Sequence, residues 1–180
     1  MKRIKNIIFD FDGTLVDTAP LIIATMQAAT GLLQLPQKTD DECRATIGIR
    51  LGDVPEMLWP GNDVAKHDFP DTYRRVFEEL RRPLSVRCFP GVLEMLRKLH
   101  SDGYRMAIAS SRGRASLQEY VTQFGISGYF SMLVGGNDVE HGKPSADPVL
   151  KILNTCGWKA DETLTVGDAP LEYQPGHHQR

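Results

Sequence analysis

Apolar residues follow two different rhythms along this chain. Short runs rich in isoleucine, valine and leucine end in aspartate, serine or glycine. Between them lie longer stretches whose apolar residues recur every three or four positions. The first rhythm predicts buried strands and the second amphipathic helices. Residues 4–9 (IKNIIF), 104–110 (YRMAIAS), 130–136 (FSMLVGG) and 163–168 (TLTVGD) read as strands. Residues 91–103 (GVLEMLRKLHSDG), 114–125 (RASLQEYVTQFG) and 147–157 (DPVLKILNTCG) read as helices. Gly103, Gly125 and Gly157 close them, since glycine enters the left-handed conformation that ends a helix at no steric cost. Strands alternating with helices over short links predict an α/β fold. The expected core is Rossmann-like and three-layered, a parallel sheet covered on both faces.

Residues 19–82 break the alternation. They hold helical spacing only, as in APLIIATMQAATGLLQL and DTYRRVFEELRR. Pro36, Pro55, Pro60 and Pro70 are expected to cut the block into short helices. Thr39 followed by Asp40, Asp41 and Glu42 marks one helix start, a capping hydroxyl and then acids against the helix dipole. The block is too long for a simple crossover. It reads as a helical subdomain inserted between the first and second strands, without internal repeats.

Composition adds exclusions. With 180 residues, 41% of them hydrophobic, 24% charged and a net charge of −2, the chain carries no basic block that would point to nucleic acid or an anionic membrane surface. The apolar run of residues 7–9 is far too short for an export signal or a membrane span. Cys43, Cys88 and Cys156 are odd in number and widely spaced. They form no closed disulfide set or zinc motif, and a reducing cytoplasm is the expected location.

In an open parallel sheet, ligands bind beyond the carboxyl ends of the strands. The first strand here ends in Asp10-Phe11-Asp12-Gly13-Thr14 and the second in Ser110-Ser111-Arg112. The third is followed by Gly142-Lys143-Pro144, and the fourth ends in Gly167-Asp168. Acids, one lysine and hydroxyls thus gather on one edge, a set suited to a divalent cation and a phosphate. Positions i and i+2 of an extended segment share a face, so Asp10 and Asp12 can both address a ligand. Mg²⁺ relieves their repulsion and takes carboxylates, waters and substrate phosphate. Asp10 is then the candidate nucleophile toward phosphorus. The other acid handles the proton of the leaving oxygen and of water. Lys143 offsets the negative charge, and Ser110 donates to a phosphoryl oxygen. Arg112 and Arg114 read as a solvated helix start, and Trp59 and Trp158 as packing residues.

These residues closely resemble the motifs of the haloacid dehalogenase superfamily of aspartate-nucleophile phosphatases. The four are DFDGT at residues 10–14, IAS ending at Ser110, Lys143 in GKPSADP, and VGDAPLE with Asp168 and Glu172. The resemblance covers nearly the whole chain. It implies that Asp10 is the nucleophile and Asp12 the general acid/base. It also implies Mg²⁺ held by the Asp10 side chain, the Asp12 carbonyl and Asp168, with Glu172 orienting metal-bound water. Gly13, Ser110, Ser111 and Lys143 are the expected phosphate contacts. Arg50, in the cap loop IGIRLGDVP, is a candidate clamp for a substrate carboxylate or second phosphate. The implied division is a core of residues 1–17 and 88–180 with a helical cap at 18–87, as in phosphoglycolate-phosphatase-like members.

Asp12 favours phosphate-ester chemistry over dehalogenation. Ile22 stands where β-phosphoglucomutase-type members carry a cap histidine, which weighs against a phosphotransferase. The expected activity is hydrolysis of a small phosphorylated metabolite, phosphoglycolate-like or a sugar phosphate, by a monomer or homodimer. A catalytically inactive, partner-binding member is the reading from another class. Asp17 is expected at the hinge to the cap, as a helix-start cap. Pro175 and Gly176 interrupt the helix that should follow Asp168, and a fifth strand is missing. The expectation is a truncated chain, or a sheet edge covered by a partner.

Overall fold

The computed structural model describes residues 4–82 and 84–168. Four parallel strands form its sheet: β1 (Asn6–Phe9), β4 (Arg105–Ala109), β5 (Phe130–Val134) and β6 (Thr163–Val166). Their order is β5-β4-β1-β6. The chain moves outward from β1 through β4 to β5, then returns to the other side of β1 as β6. The strand order therefore reverses at β1, whose carboxyl end is where such sheets bind ligands. Residue alternation sorts the side chains into two layers. Ile7, Phe9, Met106 and Ile108 pack with Leu96, Leu117 and Val121, which lie on α5 (Val92–Ser101) and α6 (Arg114–Gln123). Ile8, Ala107 and Ala109 face the opposite way, against Val149, Ile152 and Leu153 of α7 (Asp147–Cys156). The three-layer α/β expectation is met.

The inserted block contains α1 (Ala19–Leu32), α2 (Asp40–Arg44), α3 (Val54–Leu58) and α4 (Asp63–Leu80). It has its own buried cluster, with Met26, Trp59 and Phe69 at its centre. Trp59 is buried and donates its indole N–H to the Pro36 carbonyl at 2.9 Å. The capping box at Thr39 is formed, with Glu42 N–H donating to the Thr39 hydroxyl and Thr39 N–H to the Glu42 carboxylate. Pro70 does not break α4, contrary to expectation. An internal proline costs about 3 kcal/mol. Burying Phe69, Val76 and Phe77 recovers about 1.5–3 kcal/mol each, which is enough to carry the helix through.

Two short strands join block and sheet. β2 (Val16–Asp17) and β3 (Arg87–Cys88) pair antiparallel, with Asp17 opposite Arg87. Asp17 does sit where the chain leaves for the helices, but it is not the cap of α1. Thr18 holds that position, without a side-chain capping bond. Among the described residues, no helix is long and apolar enough to cross a membrane.

Candidate active site

Asp10 and Asp12 owe their placement to Phe11 between them. Phe11 is fully buried in the core cluster, which turns its two neighbours away from that cluster. The sheet ladder extends one step to fix Asp10, whose N–H donates to the Val166 carbonyl at 2.8 Å. The chain then folds back on itself. Leu15 and Val16 N–H both donate to the Phe11 carbonyl, and Gly13 N–H donates to Val16 at 2.9 Å. Both carboxylates are buried. Each is matched by a cation, as burial of charge requires.

Lys143 is the partner of Asp10. Its Nζ lies 3.0 Å from Asp10 Oδ1, with both side chains largely hidden from solvent. Lys143 comes from the loop after β5, in a turn closed by Ser145 N–H donating to the Gly142 carbonyl at 2.9 Å. Ser110 follows β4 in the same manner as Asp10 follows β1: its N–H donates to the Val134 carbonyl at 2.9 Å. The buried Ser110 hydroxyl accepts from Arg112 N–H at 3.1 Å and lies 3.5 Å from Asp12 Oδ2. Asp10, Asp12, Ser110 and Lys143 are therefore neighbours in space.

Arg112 is the partner of Asp12, and here the sequence reading fails. Arg112 is not a solvated helix-start residue. Its guanidinium is buried and holds the Asp12 carboxylate, Nη2 to Oδ1 at 2.5 Å and Nε to Oδ1 and Oδ2 at 3.2 and 3.1 Å. It also lies over the rings of Phe11, Phe77 and Tyr120, a favourable placement for a delocalised cation. Burial opposes its charge, and Asp12 more than offsets this, so its pKa lies above the ordinary arginine value. Burial likewise pushes the Tyr73 and Tyr120 hydroxyls up, with Arg112 working weakly in the other direction. The signal in the sequence was an arginine two residues after Ser110, at a strand end otherwise rich in ligand-facing groups.

Asp168 reaches the same corner from β6. Thr14 Oγ1 donates to its Oδ1 at 3.2 Å. Gly13 has φ +83°, and a Cβ there would stand 2.3 Å from Asp168 Oδ2. A side chain at position 13 would thus displace the carboxylate, so glycine is needed for space as well as for backbone angle. The fourth-motif acid and the first-motif loop are in contact. Glu172 lies outside the described residues.

The groups here that could ligate a cation are oxygens: the carboxylates of Asp10 and Asp168, with the Asp12 carbonyl close to Asp10 in the chain. Among the described residues, no three acidic, histidine or cysteine side chains gather as a metal cage. Mg²⁺ does not require one, since one or two carboxylates, waters and substrate phosphate suffice. The donor set and the space kept by Gly13 fit that ion.

The loop between α2 and α3 meets the site through two contacts. Ser111 Oγ donates to the Gly48 carbonyl at 2.5 Å. Arg50 reaches the loop that carries Lys143 and donates from Nη2 to the Val139 carbonyl at 2.9 Å and to that of Glu140. Its stem lies against Gly142, where a Cβ would come within 2.3 Å of Arg50 Nε. Two predicted substrate contacts, Ser111 and Arg50, are thus joined to backbone between the helical block and the strand-end loops. A cavity of about 680 Å³ lies between the helical block and the strand ends, lined by Asp12, Arg112, Tyr73 and the loop between α2 and α3.

The chain is similar to known proteins over most of its length. The family model described as haloacid dehalogenase-like hydrolase matches residues 7–179. The chain is 31% identical over 175 residues to the phosphoglycolate phosphatase of Aquifex aeolicus, covering 96% of this chain and 79% of that protein. It is 30% identical over 166 residues to the pyrophosphatase PpaX of Halalkalibacterium halodurans, covering 92% and 75%. The crystal structure of a hydrolase from Pseudomonas syringae superposes with a TM-score of 0.80 at 25% identity, covering 92% and 76%.

Proposed function

The chain belongs to the haloacid dehalogenase-like hydrolases and is a phosphoric monoester hydrolase, and from that premise we propose that it cleaves a small organic phosphate ester through an aspartyl-phosphate on Asp10. The observation that carries this reading is the buried Lys143–Asp10 contact at 3.0 Å. A carboxylate at a strand end, beside a cation that also balances phosphoryl charge, is arranged for in-line attack on phosphorus.

The chemistry runs in two halves. Asp10 Oδ attacks phosphorus and the bond to the leaving oxygen breaks. Asp12 delivers a proton to that oxygen, which departs as an alcohol. In the second half Asp12 takes a proton from water as the water attacks the aspartyl-phosphate. Inorganic phosphate leaves and the Asp10 carboxylate returns. Both Asp12 oxygens contact Arg112, but Oδ1 is held at 2.5 and 3.2 Å, whereas Oδ2 has only a shared Nε at 3.1 Å and Ser110 at 3.5 Å. Oδ2, which lacks the short contact, is therefore the oxygen assigned to the proton, while Oδ1 keeps the carboxylate oriented. Ser110 and Lys143 hold the phosphoryl oxygens, and Gly13 leaves room beneath them. Mg²⁺, when bound, supplies positive charge against the combined charge of nucleophile and phosphate. The Asp10 side chain, the Asp12 carbonyl and Asp168 would hold it, with Glu172 as a further acid. The substrate is a small phosphorylated metabolite, in the range spanned by phosphoglycolate and sugar phosphates.

The test is hydrolysis of p-nitrophenyl phosphate with Mg²⁺. Activity lost in EDTA and restored by excess Mg²⁺ is expected. Turnover indifferent to EDTA would contradict the metal assignment.

A further inference from the structure

Lys143 is carried to Asp10 by the long loop between β5 and α7, residues 135–146. Both ends of that loop are tied within the sheet domain. At its start, Gly135 N–H donates to Asp138 Oδ2 at 2.8 Å, and Lys151 of α7 donates to the Asp138 carbonyl. Toward its end, Ser145 Oγ donates to Asp147 Oδ1 at 2.8 Å and His141 N–H to Asp147 Oδ2 at 3.3 Å. Val139 and Glu140 lie between these ties. Among the described residues, no backbone N–H donates to either of their carbonyls.

Arg50 ties that middle stretch from the helical block. Its Nη2 donates to the Val139 carbonyl at 2.9 Å and to that of Glu140. Its stem lies on Gly142, the residue before Lys143. A Cβ there would come within 2.3 Å of Nε and 2.8 Å of Cγ and Cδ. Nε is buried in this contact without a hydrogen-bond partner, a costly setting for an N–H that a solvated arginine would avoid. The loop is thus gripped on both sides of His141. One residue beyond the grip, Lys143 Nζ lies 3.0 Å from Asp10 Oδ1, with its side chain 11% exposed. A lysine stem is flexible, so the ammonium is set in place only where its backbone is.

We propose that Arg50 is a positioning residue for Lys143: by holding residues 139–142 it sets the Lys143 ammonium against Asp10 and the phosphoryl group. This rests on the phosphatase reading above and adds to it a residue from outside the strand ends. Arg50 acts through Lys143 and not on the leaving group, whatever that group carries. The lysine is set only while the loop between α2 and α3 meets the loop after β5.

Arg50→Met tests this, since methionine keeps a stem over Gly142 and removes both donors. With Mg²⁺, kcat is expected to fall about 10- to 100-fold, while KM changes by less than about threefold. The fall should be alike for p-nitrophenyl phosphate and phosphoglycolate. Trace acetylation of the metal-free protein, read by peptide mass spectrometry, follows Lys143 without turnover. Lys143 should label about tenfold faster in Arg50→Met than in wild type, while the exposed Lys98 labels equally in both. Arg50→Lys keeps a donor without the fork and should show both changes at about threefold; it carries the test if Arg50→Met does not fold. Wild-type labelling of Lys143 in these variants overturns the proposal. A loss confined to KM for phosphoglycolate also overturns it and assigns Arg50 to the substrate. Faster Lys143 labelling in Arg50→Met, with no ester hydrolysed by the wild type, would uphold the positioning role and sink the phosphatase reading.

Discussion

Arg112 grips Asp12 from inside an aromatic cage. The guanidinium contacts both carboxylate oxygens and faces the rings of Phe11, Phe77 and Tyr120. Those rings come from three places: the first motif, the end of α4 and the middle of α6. The pair thus ties Asp12 to the helical block and to the sheet domain's α6 together. Burying two ions is expensive, and a buried pair is weak evidence for stability gained. Its retention here is better explained by orientation: a planar fork holds a planar carboxylate in one setting.

Arg112→Met should cost about 3–5 kcal/mol of folding stability, because Asp12 is left buried without its counterion. Arg112→Lys keeps the charge and loses the fork, and should cost about 1.5–3 kcal/mol. Its kcat should fall about 10- to 100-fold, the scale of a misplaced catalytic group. Urea denaturation alongside steady-state kinetics separates the two effects. Wild-type kcat in Arg112→Lys would remove the orientation role.

Gly13→Ala tests the link between the first motif and Asp168. The added Cβ meets Asp168 Oδ2 at 2.3 Å, and the backbone has φ +83°. Strain of about 1–3 kcal/mol is expected. More telling is a rise of about 10- to 100-fold in the Mg²⁺ concentration that half-saturates activity, as displaced ligand geometry produces. An unchanged Mg²⁺ requirement would mean that Asp168 does not act on the metal.

Glu119 gives a pH-dependent prediction. Its hydrogen bonds with Arg81 hold its carboxyl below the usual glutamate range. A depressed folded-state pKa adds stability that is complete above the ordinary glutamate pKa and is lost as pH falls through the lower folded value. The pair is partly exposed, so its worth is about 0.2–1 kcal/mol. Glu119→Gln should therefore lower the thermal midpoint slightly at pH 7 and converge with wild type in strong acid. A difference that persists in acid would assign the effect to packing.

Much of this architecture is legible in the chain because strand and helix periods are local properties. The runs around Ile8, Ile108, Leu133 and Thr165 announce strands, and Asp10, Ser110 and Asp168 stand at their ends. Their convergence follows from parallel topology alone. The unread parts depend on distant partners. Arg112 looks solvent-bound until Phe77 arrives from α4, more than thirty residues earlier in the chain. Pro70 looks like a breaker until the burial of Phe69 and Phe77 outweighs its cost. Arg50 reads as a substrate clamp, and only the fold brings the Val139 and Glu140 carbonyls within its reach. The β2–β3 ribbon is two residues per strand, too short to carry a period.

In the proposed reaction Asp10 carries the phosphoryl group. The most direct measurement is rapid acid quench of the Mg²⁺-loaded protein during turnover of p-nitrophenyl phosphate, followed by peptide mass spectrometry. A single added phosphoryl group is expected on the peptide holding Asp10, absent from Asp10→Asn, which should also lose turnover. Undiminished turnover in Asp10→Asn, or a phosphoryl group trapped on another residue, would contradict it.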